Sequence, residues 1–180
     1  MEFRGSKTEK NLWEAFAGES MARNKYTFFS SQAKKDGYEQ IGAIFATTAD
    51  NEKEHAKIWF KLLMEGGKIP DTLTCLKMAA EGEHEEHVSM YPRMAAEARE
   101  EGFDEIARLF TMVADIEKEH ENRYKALTAN IEAGRVYARE TEQVWQCRNC
   151  GYVYIGTHAP VKCPVCDHPQ KFFELKCDNY

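Results

Sequence analysis

The sequence lacks any long apolar run and has few residues that interrupt helices. Its 180 residues include five prolines and eleven glycines. No stretch reaches the roughly 18 apolar residues that a membrane-spanning helix needs. The first seven residues also lack the apolar core of a signal peptide. These absences predict a cytoplasmic protein with no membrane partner, and the scarcity of helix breakers favours a helical one.

An excess of basic residues is also missing. The chain has 24 Lys and Arg against 30 Asp and Glu, which gives a net charge of −6, and it has no long basic run. Nucleic acid and anionic surfaces attract clustered positive charge. The composition therefore argues against nucleic acid as a partner.

The helix breakers that do occur before residue 134 lie at three places: Asp36-Gly37, residues 66–70 and Glu101-Gly102. They divide the first part of the chain into four long segments. These segments are residues 8–35, 38–65, 72–99 and 103–134. Four long helices with short connections predict a mainly α fold built on a four-helix bundle.

The sequence changes character near residue 140. From Thr141 onward it is rich in aromatic and β-branched residues, and about 40 residues are too few for an unaided core. We therefore predict a helical domain over residues 1–140 and a small β-rich domain over residues 141–180, stabilised by a metal.

The tetrapeptide Glu-Lys-Glu-His occurs twice, at residues 52–55 and 117–120. Its first and last members lie on one face of a helix, and this face continues the apolar stripe of each segment. Glu19 and Glu83 interrupt the stripes of the other two segments in the same way. A carboxylate on a buried face is costly unless a cation compensates it. We therefore predict that the stripes are buried and that these residues bind metal.

A single Glu-x-x-His pair more often lies on a solvated helix surface. Metal binding is favoured here because two such pairs occur together with two additional glutamates. Mixed carboxylate and imidazole ligands suit iron or manganese better than zinc. We interpret the inner Glu54 and Glu119 as solvated. We interpret His84 and His87 as surface residues or as residues that contact the metal ligands without binding the metal.

Four of the six cysteines form two Cys-x-x-Cys pairs, Cys147 with Cys150 and Cys163 with Cys166. Two such pairs separated by 12 residues predict one tetrahedral four-thiolate site for iron or zinc. Spacing alone favours structural zinc, whereas a neighbouring two-metal site that needs electrons favours iron. Gly151 predicts a positive-φ turn with N–H groups aimed at sulfur. An aromatic core is expected from Trp145, Tyr152, Tyr154, Phe172 and Phe173.

These motifs together resemble the rubrerythrin family over nearly the whole chain. The resemblance is carried by Glu19 with Tyr26, Glu52-x-x-His55, Glu83-x-x-Glu86 with Met90-Tyr91-Pro92, Glu117-x-x-His120 and the Cys147–Cys150/Cys163–Cys166 tail. It implies a ferritin-like four-helix bundle followed by a rubredoxin-like domain. It also implies two non-haem irons in the bundle and one iron in the four-cysteine site, where zinc is a possible substitute.

The resemblance further implies a ligand set for each iron of the pair. One iron takes Glu19, Glu52, Glu86 and Glu117, and the other takes Glu52, Glu83, Glu117 and His120. His55 replaces Glu86 on reduction. Asp167 departs from the family pattern, because a glycine follows the second cysteine pair in simple rubredoxins.

The implied activity is reduction of hydrogen peroxide to water. Electrons come from an NAD(P)H-linked donor, either a rubredoxin or a flavin reductase, through the four-cysteine iron. Tyr26 and Tyr91 are either proton donors for this reaction or ordinary core tyrosines. His55 and Glu86 complete the candidate catalytic set.

Three other functions remain open from the residues alone. An iron-storage ferroxidase uses the same helices but does not explain the four cysteines. A binding protein with a zinc ribbon does not explain the carboxylates. An oxygenase requires a substrate pocket that the sequence does not reveal.

Chain length between the sites also predicts an oligomer. Fourteen residues separate His120 from Gly134, about 21 Å of helix, and Cys147 follows 13 residues later. The charged linker from Arg135 to Val144 favours solvent over a packed return. We therefore expect a head-to-tail homodimer in which one subunit's four-cysteine site serves the other subunit's carboxylate site.

Overall fold

The computed structural model describes residues 2–179. The chain divides into two compact units, one ending at Asp71 and the other beginning at Thr72. The helices are α1 (Lys7–Lys35), α2 (Glu39–Leu63), α3 (Thr72–Glu85), α4 (Tyr91–Glu100) and α5 (Asp104–Glu132), and the strands are β1 (Ala138–Cys147), β2 (Val153–His158) and β3 (Phe173–Leu175). The four helical segments predicted from sequence are confirmed, with α3 and α4 together forming the third.

The first unit is a hairpin of α1 and α2. Small residues line its contact, among them Ala33 and Ala49, which are 8% and 5% exposed. Ser30 is also buried and donates a hydrogen bond of 2.7 Å from Oγ to the carbonyl of Gly42. A Cβ atom at Gly42 would lie 3.2 Å from the carbonyl oxygen of Ser30. The two backbones therefore approach as closely as they do because position 42 has no side chain.

Two hairpins in the chain turn in the same way. After α1, the N–H of Gly37 bonds to the carbonyl of Lys34, and the N–H of Tyr38 bonds to that of Ala33. After α4, Gly102 and Phe103 make the equivalent pair of bonds to Arg99 and Ala98. Both glycines have φ above +80°. This is the Schellman ending, which favours glycine because other residues are strained there, and it explains why both breaks were visible in the sequence.

A π-helical turn, Glu86–Met90, joins α3 to α4 in the second unit. In this turn the N–H of Tyr91 bonds to the carbonyl of Glu86, five residues back. Pro92 follows in the first turn of α4 and has no N–H to donate. The wider turn accommodates this missing bond, so the helical path continues from Thr72 to Glu100. The sequence pattern did not predict the extra residue in this turn.

The helices of the second unit pack so that α5 contacts both α3 and α4. Ala107 on α5 is fully buried, and Ala95 and Ala98 on α4 are 2% and 8% exposed.

The predicted burial of whole apolar stripes is wrong for several positions. Ile44 on α2 and Ile106 on α5 are 58% and 47% exposed, and Leu109, Met112 and Ile116 extend the exposed face of α5. Each apolar stripe is wider than the helix face that packs within its unit. The apolar residues at the margin of the stripe are therefore exposed.

A three-stranded antiparallel sheet follows α5, in the order β2-β1-β3. The predicted linker from Arg135 to Val144 is shorter than expected, because β1 already begins at Ala138. The N–H of Ala159 bonds to the carbonyl of Tyr137, which ties the segment after β2 to the residue before β1.

The small core of this sheet domain surrounds Trp145, which is fully buried and donates from Nε1 to the carbonyl of Gly156 at 2.9 Å. Phe173 is 3% exposed, and Tyr152 and Phe172 are half-buried against this core. Tyr154 was predicted to join the core but is 38% exposed. It lies on β2, which is an edge strand of the sheet.

Within residues 2–179, no helix combines the length and the apolar character that a membrane crossing requires.

Candidate metal centres

The first candidate centre lies in the α1–α2 hairpin. Glu52 and His55 are one turn apart on α2, and their Oε2 and Nδ1 atoms are 2.8 Å apart. Glu19 on α1 brings its Oε1 to 3.9 Å from the same ring nitrogen. Both carboxylates are half-buried and the imidazole is exposed. One ligand atom from each of the three residues lies within 4.8 Å of the other two. The hairpin thus assembles a Glu-x-x-His pair with a carboxylate from the neighbouring helix.

The second candidate centre repeats this arrangement between α3 and α5. Glu117 and His120 are one turn apart on α5, with Oε2 and Nδ1 at 2.6 Å. Glu83 on α3 places its Oε2 3.7 Å from the His120 nitrogen. All three residues are half-buried, and their ligand atoms also lie within 4.8 Å of one another. The repeated tetrapeptide of the sequence therefore marks two triads of the same construction.

The second triad concentrates negative charge that a cation would neutralise. Burial raises the pKa of Glu83, and so do its contact with Glu117 and the charges of Glu117 and Glu86. Only His120 acts in the opposite direction. Carboxylate oxygens and imidazole nitrogens are the ligands that iron and manganese accept. The donor set and its crowding therefore fit a bound divalent or trivalent metal.

Glu86 and Tyr91 lie at the two ends of the π-helical turn beside this triad. Burial raises the pKa of Tyr91, and the charges of Glu86, Glu117 and Glu83 raise it further. Its ring contacts Phe110 with centroids 6.0 Å apart. Tyr91 is therefore a protonated hydroxyl within the electrostatic reach of three candidate ligands.

Tyr26 has a different environment. Its ring packs against Phe29 and Phe45, with centroids 6.2 and 6.1 Å away. It is half-buried on α1, two turns after Glu19. These ring contacts agree with the core interpretation of Tyr26, and its role as a proton donor stays a prediction.

A third cluster was missed by sequence reasoning. Glu121 is 5% exposed, and its carboxylate lies 3.0 Å from Nδ1 of His84 and 2.6 Å from Nε2 of His87. Hydrogen bonds from Lys125 and His87 lower the pKa of Glu121 to about 2. From the sequence we assigned only the neighbouring Glu119 to solvent and gave no role to Glu121. The signal that indicates a role is the spacing, because Glu121 follows Glu117 by four residues and precedes Lys125 by four.

The four cysteines come together in the sheet domain. The Sγ atoms of Cys147 and Cys166 are 3.8 Å apart, and those of Cys150 and Cys163 are 3.6 Å apart. All four sulfurs lie within 4.8 Å of one another. Four thiolates around one point are the donor set of a tetrahedral iron or zinc ion. The predicted four-cysteine geometry is therefore present.

Backbone groups are directed at this site. A hydrogen bond from the backbone of His168 lowers the pKa of Cys166 to about 6. The turn after the first pair has Gly151 at φ +79°, as predicted, and the turn after the second pair has Asp167 at φ +59°. An aspartate tolerates this left-handed conformation better than most residues. The departure at Asp167 therefore leaves the chain path of the second turn intact.

These features define a class of protein: helix pairs that carry Glu-x-x-His metal sites, followed by a small four-cysteine metal domain. The family model described as Rubrerythrin matches residues 10–128, and the model of the rubrerythrin rubredoxin-like domain matches residues 145–174. The chain belongs to the rubrerythrin family. Its fold is the predicted one, mainly α and ferritin-like with a rubredoxin-like domain, and its cofactors are a di-iron site and one four-cysteine iron.

Curated relatives match over almost the full chain. A rubrerythrin from Porphyromonas gingivalis is 52% identical, over 98% of this chain and 94% of the relative. A rubrerythrin from Nitratidesulfovibrio vulgaris is 53% identical, over 98% of both. Among solved structures, the fully reduced all-ferrous state of nigerythrin is 32% identical over 97% of this chain and 91% of that one, with a TM-score of 0.37.

Proposed function

We propose that this chain is a non-haem di-iron peroxidase of oxidative stress defence, which reduces hydrogen peroxide to water. Its electrons come from an NAD(P)H-linked rubredoxin or flavin reductase and enter through the four-cysteine iron. The observation that carries the proposal is the occurrence of both site types in one chain. A ferroxidase needs the carboxylate triads alone, and the four assembled cysteines then have no role.

The chemistry requires two electrons and two protons for each peroxide, and two water molecules are formed. Iron supplies the electrons when bound, since both irons of a pair can change oxidation state by one. The triads Glu19–Glu52–His55 and Glu83–Glu117–His120 would hold the irons, and Glu52 and Glu117 would be carboxylate ligands of both. Glu86 and His55 would be alternative ligands of one of these irons.

Tyr91 is the stronger candidate for a proton donor. Its hydroxyl is protonated at neutral pH, since the ordinary pKa of tyrosine is about 10 and burial with three nearby carboxylates raises the pKa of Tyr91 further. A group that holds its proton until negative charge develops nearby is suited to general acid catalysis.

The test compares two oxidants. With NADH and a matching electron-transfer flavoprotein, the iron-loaded protein should consume NADH at least about tenfold faster with hydrogen peroxide than with oxygen. Peroxide loss and NADH oxidation should match one to one. Faster turnover with oxygen would favour an oxidase, and rapid Fe(II) oxidation without NADH-coupled turnover would favour a ferroxidase.

We also propose a head-to-tail homodimer as the working unit. The exposed apolar side chains on α2 and α5 support it, because rows of half-exposed isoleucine, leucine and methionine are unusual on a monomer surface. A two-fold dimer covers the same surface on both subunits. The cytoplasm is the proposed location, since a reducing compartment keeps four cysteines available for metal.

Subunit mixing tests the dimer. One variant carries Cys163→Ser with Cys166→Ser and lacks the tail metal, and the other carries Glu52→Ala with Glu117→Ala and lacks the di-iron site. Neither variant should turn over peroxide with the flavoprotein donor. After dissociation and reassociation together, hybrid dimers should recover part of the activity, because one intact tail serves one intact di-iron site. Hybrids that form, as shown by mass spectrometry, but remain inactive would mean that electrons travel within one chain.

A further inference from the structure

The cluster of His84, His87 and Glu121 offers two imidazoles and one carboxylate to a common point. Nδ1 of His84 and Nε2 of His87 lie 3.0 and 2.6 Å from the two oxygens of Glu121. These ligand atoms all lie within 4.8 Å of one another. The two rings are nearly perpendicular, with centroids 5.3 Å apart. Two imidazoles and one carboxylate are a donor set that binds divalent transition metals, and three protein ligands leave other coordination positions open.

The surroundings of the cluster leave room for an ion and its water ligands. A surface cavity of about 280 Å³ is lined by Ala80, Glu81, His84, Glu121 and Lys125. Glu121 itself is 5% exposed, whereas the His84 side chain is 55% exposed. A buried carboxylate at the base and an exposed imidazole at the mouth would let an ion enter from solvent. This geometry differs from a closed structural site, which has no open position.

The cluster is separate from the di-iron ligands although it is adjacent to them in sequence. His84, His87 and Glu121 directly follow Glu83, Glu86 and His120. Neighbouring residues of a helix point about 100° apart. Glu121 also follows Glu117 by four residues and lies about 40° from it around α5. The proposed site would therefore lie beside the di-iron ligands on the same helices and use three side chains of its own.

We propose that His84, His87 and Glu121 form an additional binding site for a divalent transition metal ion such as Zn²⁺, beside the di-iron ligands on α3 and α5. Binding replaces the hydrogen bonds between the two imidazoles and the carboxylate with bonds to the ion. It involves no electron transfer, and any protons displaced from the rings go to solvent. Because the ligands come from two different segments, the ion would link α3 and the π-helical turn to α5.

Lys125 is the competitor of the proposed ion. Its Nζ lies 2.5 Å from Oε1 of Glu121, the same oxygen that contacts His84. The ammonium group supplies the positive charge that this carboxylate otherwise lacks. An incoming metal ion would have to displace this contact. Replacing Lys125 therefore distinguishes two roles of the cluster. If the cluster binds a metal ion, loss of the lysine should strengthen binding of the ion. If the cluster only links the helices by hydrogen bonds, loss of the lysine should weaken that link.

Isothermal titration of the iron-loaded full-length protein with Zn²⁺ tests the proposal, with iron content measured before and after. We expect one additional Zn²⁺ per chain with no loss of iron. His84→Gln should weaken binding at least about tenfold. Because the His84 side chain is exposed, the variant should fold like the parent, and its far-ultraviolet circular dichroism checks this. Lys125→Gln should tighten binding about fivefold, which is the effect of removing one competing hydrogen bond.

His158→Gln is the matched control, because this exposed histidine lies on β2 and should leave Zn²⁺ binding unchanged. Absence of saturable Zn²⁺ binding to the iron-loaded protein would overturn the proposal. Equal affinity in the parent and the His84→Gln protein would overturn it as well. Displacement of iron by an equal amount of Zn²⁺ would also refute it, because the ion would then occupy a site already described. None of these outcomes bears on peroxide reduction, which is measured separately.

Discussion

Glu117→Ala should remove both irons of the carboxylate site while the four-cysteine iron stays in place. Glu117 is half-buried, lies 2.6 Å from His120 and crowds Glu83. As a proposed shared ligand it would bond to both metals, so its loss would affect both. We expect iron to fall from three atoms per chain to one, and peroxide turnover to fall by more than about 100-fold. Metal analysis and the visible spectrum of the thiolate iron provide the two readouts.

The matched control is Glu119→Ala, which changes an exposed glutamate of the same tetrapeptide and should keep all three irons. Folding supplies a second readout. Burial and Glu117 raise the pKa of Glu83. A carboxyl whose folded pKa is raised destabilises the metal-free protein above that pKa. Metal-free Glu117→Ala should therefore melt no lower than the metal-free parent at pH 7. Full iron occupancy in Glu117→Ala would contradict the ligand assignment.

Cys163→Ser should abolish donor-coupled turnover without emptying the di-iron site. Cys163 is fully buried, and its sulfur lies 3.6 Å from that of Cys150. A serine cannot supply the fourth thiolate of an iron site. We expect loss of the thiolate iron signal and a fall in NADH-dependent peroxide reduction of more than about 100-fold. Chemically reduced protein should still consume peroxide in a single turnover, because its di-iron site is intact.

Cys177→Ser is the control, since this exposed cysteine lies outside the four-sulfur cluster. It should behave like the parent in both assays. If Cys163→Ser loses its tail iron and turnover with the donor continues at the parent rate, the four-cysteine site is not the entry point for electrons. The role of this domain would then be structural, as the zinc-ribbon alternative holds.

Most of the helical architecture was predictable because local signals and packing agree. Gly37 and Gly102 end their helices in a conformation that glycine favours, so both breaks were visible in the sequence. The two Glu-x-x-His pairs were visible because helical spacing alone brings their side chains together. Each Cys-x-x-Cys pair was visible in the sequence for the same local reason. The short sheet brings the two pairs together into one site.

Glu121 was not predictable in the same way. A glutamate between charged neighbours on a helix is ordinarily solvated, and its burial depends on two histidines about 35 positions away in the chain. The exposed apolar positions on α2 and α5 were missed for a related reason. A helical stripe predicts which residues share a face, but it carries no information about how many neighbours cover that face.

The π-helical turn has a consequence for insertions and deletions in the segment between α3 and α4. An α-helix advances by about 100° per residue, and residues 86–90 contain one residue more than regular α-helical winding would use. Deleting Val88, which is 54% exposed, would remove no buried side chain and would let the turn relax to a regular α-helix. It would also rotate Glu83 and Glu86 by that angle relative to Ala95 and Ala98. This turn is therefore a segment whose number of residues natural variants should hardly change, because a deletion would turn Glu83 and Glu86 away from the rest of their site.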